Sequence, residues 1–135
     1  MLGFPTRGRR QKGLASMKEI GALGEELAAK HLAASGYRLL HRNWRWRRGE
    51  LDLVVEKDGE IVFVEVKARR SHTFGTPEEA VTRAKQRKLV QTAYAYLARE
   101  RRQNAPWRID VIALDLSALG EVIRLEHLEN AVGEG

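Results

Sequence analysis

A chain of 135 residues with 43% hydrophobic content suits one domain with its own core and is too apolar to stay a disordered tail. The absence of cysteine removes disulfides, thiolate metal sites and cysteine nucleophiles. The net charge is +6, but residues 1–16 carry Arg7, Arg9, Arg10 and Lys12 and no acid, which leaves +2 for the remainder. That is a basic tail on a nearly balanced body, a weaker sign of nucleic-acid binding than a basic body would be.

Residues 1–16 have no periodicity and read as a flexible basic tail. No apolar run reaches the roughly 18 to 20 residues of a membrane span, and the start lacks the apolar core of a secretory signal. The expectation is a cytoplasmic protein with no membrane partner.

The domain is expected over 17–128, with 129–135 as a C-terminal tail. Ser16 and Glu19 form a capping-box pattern, and Ile20, Leu23, Leu27 and Leu32 recur at helical spacing to a stop at Gly36. This predicts a helix over 17–35. Gly21 and Gly24 weaken it, unless they let its backbone approach a sheet. Strands follow over 37–47, 50–56 and 60–68, the last two joined by Asp58-Gly59, a two-residue hairpin signal. Thr76, Pro77 and Glu79 mark the start of a second helix, which runs to about Arg102 before Asn104 and Pro106. Strands over 107–114 and 121–127 complete the order αβββαββ. The connection through the long helix predicts a parallel crossover, and hence an α/β fold with a mixed sheet.

The segment GELDLVVEKDGEIVFVEVKARR, residues 49–70, places Glu50, Asp52, Glu65 and Lys67 inside strands. A two-residue turn at Asp58-Gly59 sets paired residue numbers to sum to 117, so Asp52 faces Glu65 and Glu50 faces Lys67. By strand alternation all four then share one face. Two opposed carboxylates repel, and a divalent cation would resolve the conflict, with Lys67 beside it to orient the attacking water, help it lose its proton, or stabilise charge building on a phosphate. The competing reading is a solvated sheet face with Glu50 paired to Lys67. Val54, Ile61 and Phe63 on the same face favour a core opening onto a cleft. A bulge near Glu65 would shift the pairing.

The D-x(n)-E-x-K pattern on adjacent strands after a helix resembles the restriction-endonuclease-like PD-(D/E)xK superfamily. More closely, the chain resembles the YraN family of bacterial nuclease-like proteins. The resemblance is carried by GALGEELAA (21–29), GY (36–37), RNWR (42–45), GELDLV (49–54), VFVEVKAR (62–69), FGTPEEAV (74–81), Lys85 and RIDVIAL (108–114). It implies a three-layer α/β/α sandwich with a central mixed sheet. It also implies Asp52 and Glu65 as ligands to Mg2+ or Mn2+, Lys67 as the catalytic lysine, and Glu25 in support of the metal site. Helical spacing alone cannot choose between Glu25 and Glu26. The superfamily's proline-aspartate is here Leu51-Asp52. The implied activity is metal-dependent hydrolysis of phosphodiester bonds in DNA, whether branched, flapped or single-stranded. The alternative is a non-catalytic nucleic-acid-binding module that keeps the fold. The resemblance admits a homodimer, although no dimer seam is legible.

Arg45 and Arg47 surround Trp44 and, with Arg69 and Lys85, are candidate nucleic-acid contacts. Sheet packing is the competing role for Trp44, and a solvated helix face for Lys85. Trp107 reads as core, and Asp110 as the partner of a nearby arginine. His31, His41, His72 and His127 have no metal-like spacing.

Overall fold

The computed structural model describes residues 16–70 and 81–133. Its elements are α1 (Met17–Ala34), β1 (Arg38–Trp46), β2 (Gly49–Lys57), β3 (Glu60–Arg70), α2 (Arg83–Arg99), β4 (Trp107–Leu116) and β5 (Val122–Leu128), the expected order αβββαββ. One five-stranded sheet runs β1-β2-β3-β4-β5. The β3–β4 pair is parallel, with α2 in the crossover, and the other neighbours are antiparallel.

Local chemistry sets the ends of α1. The Ser16 side chain accepts from Glu19 N while Glu19 Oε1 accepts from Ser16 N, closing the capping box. At the other end Gly36 takes φ +93°, Tyr37 N donates to Leu32 O at 3.0 Å, and Gly36 N donates to Ala33 O at 3.1 Å. This is the paired bonding of a Schellman stop. The β2–β3 hairpin turns on Asp58 (φ 53°) and Gly59 (φ 82°), both left-handed as a type I′ turn requires.

The second helix starts later than the sequence suggests. Thr82 is extended (φ −69°, ψ 167°) and its side chain caps the helix by accepting from Lys85 N. A helix continuous from Pro77 is therefore excluded. The Thr76–Glu79 signal itself lies outside the described residues. The helix also ends earlier, at Arg99, with Arg101 left-handed (φ 57°).

Two apolar layers sandwich the sheet. On one face Ile20, Ala28 and Leu32 of α1 pack on Leu53, Val55, Val62, Val64, Ile112 and Leu114. On the other, Leu89, Ala93, Tyr96 and Leu97 of α2 pack on Leu51, Val54, Ile61, Phe63, Ile109 and Val111. This is the three-layer α/β/α, restriction-endonuclease-like arrangement. Trp107 joins the second cluster at its margin, edge-on to Phe63 and Tyr94.

Residues 129–133, expected as part of a tail, instead return along β4. Ala131 N donates to Ile109 O, and Val132 is buried in the α2-side core. Asp110, wholly buried, anchors this return. It accepts from Asn130 N at 2.8 Å and from Arg108 Nε at 2.9 Å, and it hydrogen-bonds His127 Nε2 at 2.8 Å. His31 meets His127 at 3.2 Å, a contact that spacing gave no sign of.

Two glycines set how closely the helices approach. A Cβ on Gly24 of α1 would lie 2.5 Å from Ala68 Cβ of β3, and one on Gly49 of β2 would lie 2.0 Å from Thr92 Oγ1 of α2. Gly21, expected to act similarly, has nothing within 4 Å of its Cβ position. Gly24→Ala should therefore destabilise the fold by about 1–3 kcal/mol through overpacking. Gly21→Ala should stabilise it by about 0.5–1 kcal/mol through helix propensity. Urea denaturation of the two variants measures both signs.

Candidate active site

The site begins where β2 leaves β3. The expected register holds from Lys57↔Glu60 to Leu53↔Val64, and the ladder stops there. Beyond that pair β2 stays with β1 through Trp46↔Gly49, while β3 stays with β4 through Arg70↔Leu116. A fork opens between them. Side-chain alternation in β2 also breaks at this point: Leu51 and its partner Trp44 join the α2-side core, whereas Leu53 and Val55 join the α1-side core. The break falls at Asp52, across from Asn43, whose φ is 50°.

The split would leave the Val66 N–H of β3 without its antiparallel partner. Asp52 Oδ2 accepts that N–H at 2.8 Å. The aspartate thus closes the fork and is held at its base. Glu65, on the neighbouring residue of β3, is buried at 4% exposure with its carboxylate within hydrogen-bonding reach of Asp52. The sequence pairing of Asp52 with Glu65 is correct in proximity, although it arises from a fork rather than from a continued ladder.

The two lysines come from different layers. Lys67 Nζ, from β3, lies 3.7 Å from Glu65 Oε2. Lys85 Nζ, from the first turn of α2, lies 2.8 Å from the same oxygen. The pressing of Thr92 against Gly49 holds α2 over this end of the sheet. The direct Lys85–Glu65 ion pair is not legible in the sequence, where Lys85 reads as a phosphate contact or as part of a solvated helix face. Thr82 three residues ahead of Lys85 was the available signal, since a cap there puts Lys85 in the first turn.

Electrostatics follow from this crowding. Burial, and then the Glu65 charge, push the Asp52 carboxyl from its ordinary 3.8 up to about 8; the Val66 N–H opposes the shift and the Glu25 charge adds to it. Lys67 is lowered, by burial first and then by its neighbour Lys85, with Glu65 and Asp52 pulling the other way. For Lys85 burial also disfavours the charge, but its bonds to Glu65 and Lys67 outweigh it and the net shift is upward. The surroundings thus favour the charged form of Lys85 and disfavour that of Lys67.

The remaining candidates are placed as follows. Glu25 accepts from Asn43 Nδ2 at 3.1 Å on the α1 side, and it reaches Asp52 as a neighbouring charge. Glu26 pairs instead with Arg42. Glu50 does not join Lys67; it lies 3.5 Å from Arg45, because the fork carries its strand end toward β1. Arg45 and Arg47 are exposed, the latter over the Trp46 ring at 4.6 Å. Trp44 is packed edge-on against Tyr96 at 5.1 Å. Arg69 pairs with Asp115 at 2.7 Å.

Among the described residues no three acidic or histidine side chains form a preformed metal cage. The donor set that is present, two adjoining carboxylates with one forced toward protonation, suits a hard divalent cation that keeps much of its water. Asp52 and Glu65 fit that description; Glu25 stands behind them. No helix among the described residues is long and apolar enough to cross a membrane.

Fold and site together define an α/β protein of restriction-endonuclease-like architecture with a carboxylate pair and two lysines at a sheet fork. The chain belongs to the uncharacterised protein family UPF0102, also called YraN, whose model matches residues 24–114. It is 46% identical over 114 residues to a UPF0102 protein of Symbiobacterium thermophilum, covering 84% of this chain and 96% of that one. A UPF0102 protein of Roseiflexus castenholzii is 42% identical over 116 residues, covering 85% and 94%. One from Syntrophomonas wolfei is 52% identical over 97 residues, covering 72% and 84%.

The raised Asp52 pKa has a definite sign for stability. The native state keeps a proton that the unfolded chain releases above about pH 4, so metal-free stability falls as pH rises from about 4 to about 8. Asp52→Asn keeps the acceptor for Val66 N–H and removes the titration. At pH 8 it should be more stable than wild type by about 1 kcal/mol or more, a Tm gain of roughly 3–6 °C. At pH 4 the two should coincide. Thermal melts at both pH values provide the check.

Proposed function

We infer that the protein is a metal-dependent nuclease that hydrolyses phosphodiester bonds in DNA, with branched, flapped or single-stranded substrates as the forms to test first. The observation that carries this reading is the Asp52–Glu65 pair at the fork with two lysines against it. The Val66 N–H bond accounts for Asp52 alone; the buried Glu65 beside it, which raises the Asp52 pKa further, is what a cation between them would explain.

Asp52 and Glu65 would hold Mg2+ or Mn2+. Such a cation supplies Lewis acidity at the scissile phosphate when bound. The chain's own groups supply the rest. Lys67, displaced toward neutrality, can accept a proton from the water that attacks phosphorus. Lys85 contributes positive charge where the phosphate's charge builds up. Glu25, tied to Asn43, acts as a positioning residue through its charge on Asp52. The attacking water adds its oxygen to phosphorus, and the bridging P–O bond breaks to release an alkoxide that takes a proton from solvent water to become an alcohol. Arg45 and Arg47, near the β1–β2 turn, and Arg83 and Arg87, on the first turns of α2 with Lys85, are exposed and suit backbone phosphates.

A labelled panel of duplex, single-stranded, flap and four-way DNA, plus RNA, tests the reading in Mg2+, Mn2+ and chelator. The expected result is metal-dependent cutting that falls by at least about 100-fold in both Lys67→Ala and Asp52→Ala. Binding without cutting by the folded wild type would instead support the non-catalytic nucleic-acid module.

A further inference from the structure

Glu65 Oε2 is shared by two lysines, and the tighter partner is the one that can leave. Lys85 Nζ approaches to 2.8 Å against 3.7 Å for Lys67, yet the Lys85 side chain is 42% exposed and that of Lys67 only 24%. The Lys85 backbone is pinned, because its N–H donates to the Thr82 cap at 3.2 Å. Any movement therefore lies in the long, partly exposed side chain. Lys67 comes from the central strand β3 and is held within the sheet.

A divalent cation between Asp52 and Glu65 needs the carboxylate oxygen that Lys85 now holds. An ammonium and a dication at one oxygen repel strongly at contact distance, even at a surface-like effective dielectric. We propose that Lys85 is an exchangeable internal cation: it neutralises Glu65 in the metal-free protein, yields that oxygen when a divalent metal enters, and swings outward toward solvent. There its charge meets the phosphate backbone. The device keeps a buried glutamate paired at every stage, first by lysine and then by metal. It rests on the metal-site reading above and assigns Lys85 a role that reading does not require.

Mn2+ binding, followed by electron paramagnetic resonance of free Mn2+ without nucleic acid, tests the proposal directly. Wild type is compared with Lys85→Met, Lys85→Gln and Lys85→Arg, with folding checked by circular dichroism. Lys85→Met and Lys85→Gln should bind Mn2+ about tenfold or more tightly than wild type. Lys85→Arg, which keeps the competing charge, should stay within about threefold of it. The metal-free Tm of Lys85→Met should fall and then recover with Mn2+ by more than wild type gains. Lys85→Gln carries the comparison if Lys85→Met fails to fold. Unchanged or weaker Mn2+ binding in a folded charge-removing variant overturns the exchange. Absence of Mn2+ uptake by every protein overturns the metal-site reading and the exchange with it.

Discussion

The hydrogen bond from Val66 N–H to the Asp52 carboxylate is the constraint on which the site depends. Two strands that separate inside a packed sheet expose backbone donors, and an unsatisfied donor there costs about 1–3 kcal/mol. Asp52 removes that cost and is fixed by doing so. Its neighbour Glu65 is then forced into the same space by the parallel ladder of β3 on β4, where Glu65 pairs with Val111. Neither carboxylate can retreat without undoing a strand. The sheet thus holds two carboxyls together, and the crowding pushes one of them, Asp52, toward its protonated form.

The two helices keep that geometry rigid from opposite sides. Gly24 brings α1 onto Ala68, two residues from Val66, and Gly49 admits Thr92 of α2 beside the diverging end of β2. Each glycine belongs to a segment that also carries a site carboxylate, GALGEE with Glu25 and GELD with Asp52. Close packing and chemistry are therefore encoded in the same short stretches. The polar clasp of Asp110, Arg108 and His127 secures the far side of β4 and ties in the C-terminal residues, so β4 is anchored while β3 carries the site.

Much of this was legible in the sequence because it rests on local chemistry. The Ser16–Glu19 box, the stop at Gly36 and the turn at Asp58-Gly59 each depend on a few adjacent residues, and the turn alone fixed five pairs of the hairpin register. The fork was not legible. Alternation says which face a residue takes while a strand keeps both neighbours, but it does not say where one neighbour departs. Glu50 was for that reason placed with Lys67 when it lies with Arg45. The start of α2 went astray because two cap signals compete, Thr76 with its capping-box glutamate and Thr82 without one. Tertiary packing decides between such signals, as it does for the Lys85–Glu65 pair, whose residues are joined only by the docking of α2.

The central claim is that the fork between Asp52 and Glu65 is a cation site. Anomalous diffraction at the manganese edge, from crystals of the protein grown with Mn2+, tests it most directly. The account predicts one strong peak between the two carboxylates, bonded to an oxygen of each. A map with no peak there, while the carboxylates remain paired as in the metal-free protein, would contradict it.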